Sequence, residues 1–312
     1  MSGRVLVTGG AGFIGSHLVR ALLRRGERVT VIDDYSTGSR SNLEGLDGDI
    51  AVVEGSVADA AAVGDAMREV SIAFHLAAVP SVPRSIEAPL ASHESNATGT
   101  VLVLDAARRA GARVVYAGSS SAYGNKQERR KREDLREDPI SPYAASKLAG
   151  ELYCRSFARV YGLSVVVTRF FNVFGPRQRA DSPYSGVIAA FCHALLSGQR
   201  PRVDGDGRQS RDFTFVEDLV DGLLRVIDVP TSGCETVNLA YGESHDLLEV
   251  LGLLQQWAGT SLEPRFAPPR AGDVRHSMAD VEKAKSLFGF APRVGFSEGL
   301  KRTLDWYRSQ CQ

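Results

Sequence analysis

Within Ser141-Pro142-Tyr143-Ala144-Ala145-Ser146-Lys147, a phenol and an ammonium stand four residues apart. On a helix that spacing puts Tyr143 and Lys147 on one face. A lysine ammonium beside a phenol favours the phenolate and draws a pKa of about 10 toward working pH. Tyr143 is therefore a candidate general base. Such a pair alone usually marks an exposed helix face, so its weight depends on company. A hydroxyl run, Ser119-Ser120-Ser121, ends the apolar segment Val114–Ala117. Hydroxyls at the C-terminal edge of a parallel sheet face the ligand crevice. Near the N-terminus, Gly9, Gly12 and Gly15 follow one apolar run and open an amphipathic stretch. Glycines there permit a tight turn and let a pyrophosphate approach helix N-terminal amides. Asp33 ends the next apolar run, where a carboxylate accepts ribose hydroxyls and repels a 2′-phosphate. That favours NAD over NADP, with Arg40 nearby keeping NADP open.

The elements that must position these groups alternate. Apolar runs at Val5–Thr8, Val29–Ile32, Ile50–Val53, Ile72–His75, Val114–Ala117 and Leu163–Val167 read as strands buried on both faces. Phe13–Arg25, Ala91–Ala110 and Tyr143–Tyr161 have helical length and spacing. A repeated strand–helix order predicts an α/β fold, a doubly wound parallel Rossmann sheet. Beyond Asn172 the punctuation changes to Gly175-Pro176, Ser182-Pro183 and Asp204-Gly205-Asp206-Gly207. Residues 1–172 are expected to form the nucleotide-binding domain and 173–312 a smaller lobe, with 213–240 returning to the main sheet. No internal repeat is visible.

Charge narrows the partners. Lysine plus arginine and aspartate plus glutamate both number 37, a net charge of zero, which opposes bulk attraction to nucleic acid. No stretch is long and apolar enough to span a bilayer, and the N-terminus does not resemble a signal peptide. Cys154, Cys192, Cys234 and Cys311 stand apart without a CxxC pair, so neither a zinc site nor a disulfide framework is expected. A reduced, cytoplasmic protein is the default. Between Lys126 and Asp138 only Gln127 and Leu135 are uncharged. That run reads as a solvated loop rather than a docking surface, because mixed-sign runs usually face water.

These motifs together resemble the extended short-chain dehydrogenase/reductases, and within them the NAD-dependent nucleotide-sugar epimerases and dehydratases. The resemblance spans nearly the whole chain. It rests on TGGAGFIGSHL, Asp33-Asp34-Tyr35-Ser36-Thr37-Gly38, His75-Leu76-Ala77-Ala78, Asn96-Ala97-Thr98-Gly99-Thr100, SSSAYG, SPYAASK, RFFNVFGPRQ, GDGRQSRDF and RAGDVRHSMAD. It implies Ser119, Tyr143 and Lys147 as the catalytic set. It implies NAD held by Gly9, Gly12, Phe13, Ile14, Gly15, Asp33, Ser36, Thr37, Gly38, Ser56, Val57, Leu76, Ala77, Ala78 and Asn96, besides Tyr143 and Lys147. Many relatives have Asp where this chain has Ser56. Asn172, Arg211, Arg270 and Asp273 match positions that hold a nucleotide diphosphate and its ribose, a role suited to arginine.

Dehydratases of this kind carry an Asp-Glu pair after the catalytic Thr, since eliminating water needs an acid and a base. Here those positions are Ser120 and Ser121, which favours 4-epimerisation. Ser81, Ser120, Ser121, Gln178 and the run Pro183-Tyr184-Ser185-Gly186-Val187-Ile188 resemble the UDP-N-acetylglucosamine 4-epimerases. Ser277 falls where enzymes restricted to UDP-glucose and UDP-galactose carry a bulky Tyr, and a small residue leaves room for an N-acetyl group. Arg179 lies where UDP-glucuronate 4-epimerases carry an Arg for the sugar carboxylate, which sets up the alternative substrate. A non-catalytic NAD sensor would be expected to lack Ser119, Tyr143 or Lys147. By resemblance the protein is a homodimer pairing through the helices at 91–110 and 143–161, with no metal.

Overall fold

A computed structural model of the chain describes residues 3–180 and 185–310; Ser182, Pro183, Tyr184 and Cys311 lie outside them. Strands β1 (Arg4–Thr8), β2 (Val29–Asp33), β3 (Ile50–Glu54), β4 (Val70–His75), β5 (Arg113–Ser119) and β6 (Val165–Phe170) form a parallel sheet. Its order is β3-β2-β1-β4-β5-β6. The chain then leaves through β7 (Val173–Phe174), β8 (Arg202–Asp204), β9 (Ser210–Arg211) and β10 (Thr214–Phe215). It returns as β11 (Cys234–Leu239), the seventh parallel strand, beside β6. Short strands β12 (His245–Asp246), β13 (Arg265–Ala267) and β14 (His276–Ser277) finish the lobe: β10 pairs with β7, β13 with β8, and β9 lies between β12 and β14.

Helices α1 (Phe13–Arg24), α2 (Ala60–Ala66), α3 (Val82–Glu87), α4 (Pro89–His93), α5 (Gly99–Ala110) and α6 (Pro142–Tyr161) connect the first strands. Helices α7 (Val187–Leu196), α8 (Val216–Asp228), α9 (Leu247–Ala258), α10 (Glu282–Phe288) and α11 (Phe296–Gln310) follow. The strand period of two splits the core. Val5, Val7, Val29, Val31 and Phe74 pack with α1, α8 and α10, while Leu6, Ile32, Ala73 and Val114 pack with α2, α5 and α6. A third apolar cluster joins α7, α9 and α11 around Phe213 and Phe215. Of the segment 213–240, α8 and β11 therefore join the main sheet, whereas Phe213 and β10 stay in the lobe.

Three local expectations need correction. The run Ile50–Val53 is not buried on both faces: β3 is the sheet edge, and Ala51 and Val52 are exposed. The helix at 91–110 is not uniform, because a π-helical turn at Glu94–Thr98 separates α4 from α5. The charged run is not simply solvated. Lys131, Glu133, Leu135 and Glu137 are buried or half-buried, while Arg132, Asp134, Arg136 and Asp138 are exposed. The Lys131 backbone bonds to Met278 and Asp280, and its ammonium donates to the Lys126 and Glu128 carbonyls at 2.6 and 2.7 Å. Glu133 accepts from the Asn238 amide, and Glu137 joins Arg155 and the buried Arg169. The segment is a strap with a two-residue alternation.

Candidate active site

The glycine turn closes on backbone. Gly9 has φ +69°, and a Cβ there would come within 2.9 Å of the Ala77 backbone. A Cβ on Gly15 would stand 2.1 Å from the Gly9 carbonyl oxygen, and one on Gly38 2.8 Å from Ala11. Gly12 begins α1 with no side chain capping its first amides, those of Phe13 and Ile14. Asp33, at the end of β2, accepts the Ala11 and Tyr35 amides, both at 2.8 Å. Burial pushes its carboxyl up while these two bonds pull it down. Ser36 N–H bonds Asp34, and Ser39 N–H bonds Ala11, so the loop carrying Ser36, Thr37 and Gly38 docks on the turn. Arg40, the residue that kept NADP open, is committed to Glu54 at 2.5 Å and lies over the Tyr35 ring. Ser56 accepts the Ala58 amide, which turns the chain beyond β3 and buries Val57. A cradle that any Cβ would fill, helix amides without a cap and a ribose-height carboxylate are a donor set that fits a dinucleotide.

Behind Leu76, Ala77 and Ala78 lies a buried uncharged network. Thr100 donates to the Asn96 carbonyl, so its oxygen accepts from His75 Nε2, and His75 Nδ1 in turn accepts from Thr8. Burial drives this imidazole down to about 3, with the Lys147 charge adding to the fall, so it stays neutral. Asn96, in the π-turn, accepts the Val79 amide and donates to the Ser146 hydroxyl. Ser146 donates to the Tyr143 carbonyl, which links that turn to α6.

Helix α6 begins at Ser141, whose hydroxyl accepts the Ala144 amide, with Pro142 in the first turn. The Tyr143 amide donates to Ser85, in the α3 helix that Ser81 caps. Gly150 lets α6 lie against β5: a Cβ there would come within 2.3 Å of the Tyr116 hydroxyl, which donates to the Lys147 carbonyl. Lys147 Nζ sits 4.5 Å from the centre of the Tyr116 ring. Ser119, at the end of β5, is the polar neighbour that draws the Tyr143 phenol down. Ser119 also accepts from the Ser121 hydroxyl at 2.8 Å, while Ser120 side by side makes no side-chain bond among the described residues.

The expected electrostatics is corrected in one respect. Burial raises the Tyr143 phenol above its ordinary value, and Ser119 is the group pulling it down. Burial also lowers Lys147, to about 8. In the protein alone, desolvation therefore outweighs the help that Lys147 was expected to give.

On the lobe side, Arg211 donates to Asp273 at 2.6 Å and to the Ser210 and Arg275 carbonyls. Ser277 pairs with Arg211 in register across β14 and β9. Asn172 donates to the Asp212 carbonyl, joining the segment after β6 to the residue that follows β9. The 270–273 loop lies against the starts of α6 and α3: a Cβ on Gly272 would stand 3.3 Å from Ser141 and Val82. Arg270 pairs with Asp204 rather than with Asp273. Gln178 donates to the Val173 carbonyl, and its buried Oε1 has no partner among the described residues. Arg179 is exposed, and Val187 opens α7. Sequence reasoning missed Asp204, Gln209 and Asp212. Asp212 carries the strongest knot, accepting the Tyr241, Gly242 and Ala279 amides. Gln209 and Asp212 lie inside GDGRQSRDF and Asp204 directly precedes it, but only their partners reveal a role.

Residues 5–240 match the family described as NAD dependent epimerase/dehydratase. The chain belongs to that family. It is an enzyme, and its cofactor is NAD. It is 38% identical to a UDP-glucose 4-epimerase of Mycolicibacterium smegmatis, covering 99% of this chain and 100% of that one. It is 33% identical to a UDP-N-acetyl-alpha-D-glucosaminuronate decarboxylase of Bacillus cytotoxicus, over 99% and 98%. Its structure superposes on a UDP-N-acetylglucosamine 4-epimerase from Methanobrevibacter ruminantium in complex with UDP-N-acetylmuramic acid, with TM-score 0.93, 34% identity and 99% coverage of each chain. No described helix is long and apolar enough to cross a membrane.

Proposed function

We propose that this enzyme is a UDP-sugar 4-epimerase, acting on UDP-GlcNAc/UDP-GalNAc and on UDP-Glc/UDP-Gal. The observation that carries the reading is Ser119 placed to act on the Tyr143 phenol, followed by Ser120 and Ser121, a proton-transfer pair without the acid and base that dehydration needs. Tyr143 takes the proton of the sugar 4-hydroxyl, and Ser119 holds that oxygen. Lys147 keeps positive charge beneath the phenol, and Asn96 keeps the start of α6 in place. Bound NAD supplies the hydride acceptor, and later donor, for C4 through a 4-keto sugar. Arg211 and Arg270 bind the diphosphate, and Asp273 and Asn172 fix its position. Ser81, Gln178 and Val187 border the sugar, and Ser277 leaves space at its C2 substituent.

UDP-glucuronate 4-epimerisation is the second reading, favoured by Arg179 one residue beyond the unpartnered Gln178 carbonyl. Incubation with a panel of UDP-sugars, followed by NMR of the anomeric protons, tests both. C4 inversion of the N-acetylated and plain hexoses is expected. Inversion of UDP-glucuronate alone would promote the second reading, and carbon dioxide release without inversion would replace both by decarboxylation. A homodimer is part of the proposal: Leu152, Tyr153, Val160 and Tyr161 leave apolar area on the outer face of α6. So is a cytoplasmic location, in keeping with free thiols at Cys154, Cys192 and Cys234.

A further inference from the structure

A cavity of about 700 Å³ opens in the lobe between β8 and the 269–275 loop, lined by Asp204, Gln209, Phe266, Pro269, Arg270 and Asp273. Asp204 is pinned from three sides. Its carboxylate accepts Arg202 Nε through Oδ1 at 2.8 Å and Arg270 Nε through Oδ2. Its carbonyl accepts Gln209 Nε2 at 2.6 Å. Strand pairing sets Asp204 opposite Ala267, and the Gly205 amide bonds the Ala267 carbonyl. The acid is 9% exposed, whereas the Arg270 side chain is 41% exposed. Arg270 is thus an exposed cation held by its inner nitrogen. Its two terminal nitrogens make no hydrogen bond among the described residues. Independently, the buried Oε1 of Gln209 faces no donor within the described protein. A buried amide oxygen left unpaired is costly, and this one belongs to a residue that lines the same cavity as Arg270.

We propose that Asp204 is the positioning residue for Arg270: it fixes the guanidinium by Nε so that the outer fork meets the diphosphate of the substrate. The inference rests on the UDP-sugar reading above. Asp204 does not act as a competitor for the arginine, because Arg202 offsets its charge and the fork that binds phosphate bidentately remains presented. An arginine left to roam must lose its rotamer freedom at the moment of binding, whereas one already held does not.

The test is the affinity of the NAD-loaded enzyme for UDP and for uridine, by calorimetry, in Asp204→Asn, Asp204→Glu and Arg270→Ala. Asp204→Asn should weaken UDP by about tenfold, the size of one charge-assisted contact. Uridine, which has no phosphate, should bind unchanged. KM for the UDP-sugar should rise more than kcat falls. Asp204→Glu should restore much of the affinity, and Asp204→Asn should add nothing to Arg270→Ala. Unchanged or tighter UDP binding in Asp204→Asn would overturn the proposal, as would an equal loss for UDP and uridine. Failure of the wild-type enzyme to bind UDP would instead overturn the UDP-sugar reading itself.

Discussion

Around Tyr143 and Lys147 the polar groups are held largely by uncharged partners: Asn96, Ser146, Thr100 and the neutral His75 form one hydrogen-bonded chain to the Tyr143 carbonyl, and Tyr116 donates to the Lys147 carbonyl. Around Arg211 and Arg270 the opposite holds. Guanidiniums are paired with Asp273 and Asp204, on strands and loops of two or three residues. The first arrangement rests on long elements with apolar cores on both sides, so its geometry is set before any substrate arrives. The second is made of ion pairs in which a buried partner, Arg211 or Asp204, meets a more exposed one, Asp273 or Arg270. Proton transfer needs fixed distances, whereas a guanidinium held at one nitrogen still presents the others to an anion.

The largest way to break this contrast is Tyr143→Phe. Turnover should fall by about 10²–10⁴-fold, the span of a lost general base. NAD, read by its absorbance in the purified protein, should remain bound. Retained turnover would remove Tyr143 as the base. On the recognition side, Ser277→Tyr should lower kcat/KM for the N-acetylated substrates by about 10–100-fold relative to UDP-glucose, a steric effect confined to one substituent. Equal loss on both sugars would mean that the lobe is as rigidly coupled to the chemistry as α6 is.

A third test uses pH. Lys147 is held down to about 8, so it is cationic below that pH and neutral above it. kcat should therefore fall by up to about tenfold per unit above pH 8. The stability effect has the other sign. Between pH 8 and the ordinary lysine value of 10.5 the unfolded chain binds more protons than the folded one, so this group's contribution to stability rises with pH. Compared with Lys147→Met by thermal melting, the wild type should gain on alkaline titration while it loses turnover. A parallel loss of both would put the titrating group elsewhere.

Much of the first half was legible in the chain because its signals are local. Apolar runs mark β1, β2, β4, β5 and β6, glycine spacing marks the turn, and Tyr143 with Lys147 needs only a helix. The lobe hid its strands because β7, β9, β10, β12 and β14 are two residues long and exist through pairing with distant partners. The π-turn at Glu94–Thr98 has no breaker residue to announce it. The Tyr143 pKa was misjudged because spacing shows a neighbouring charge but not the loss of water around it. Asp204 and Arg270 are 66 residues apart, beyond any local pattern.

The strap at 131–138 carries one more consequence. Its inward residues Lys131, Glu133, Leu135 and Glu137 close hydrogen bonds or apolar contacts with β11, α6 and the 278–280 segment. Its outward charges touch mainly water or one another, as Arg132 does with Asp134. Half of the segment is thus under strict constraint and half is nearly free to drift. Surface charge could be rewritten at Arg132, Asp134 and Arg136, for solubility or for a new partner, while the alternate positions keep the wall of the molecule closed.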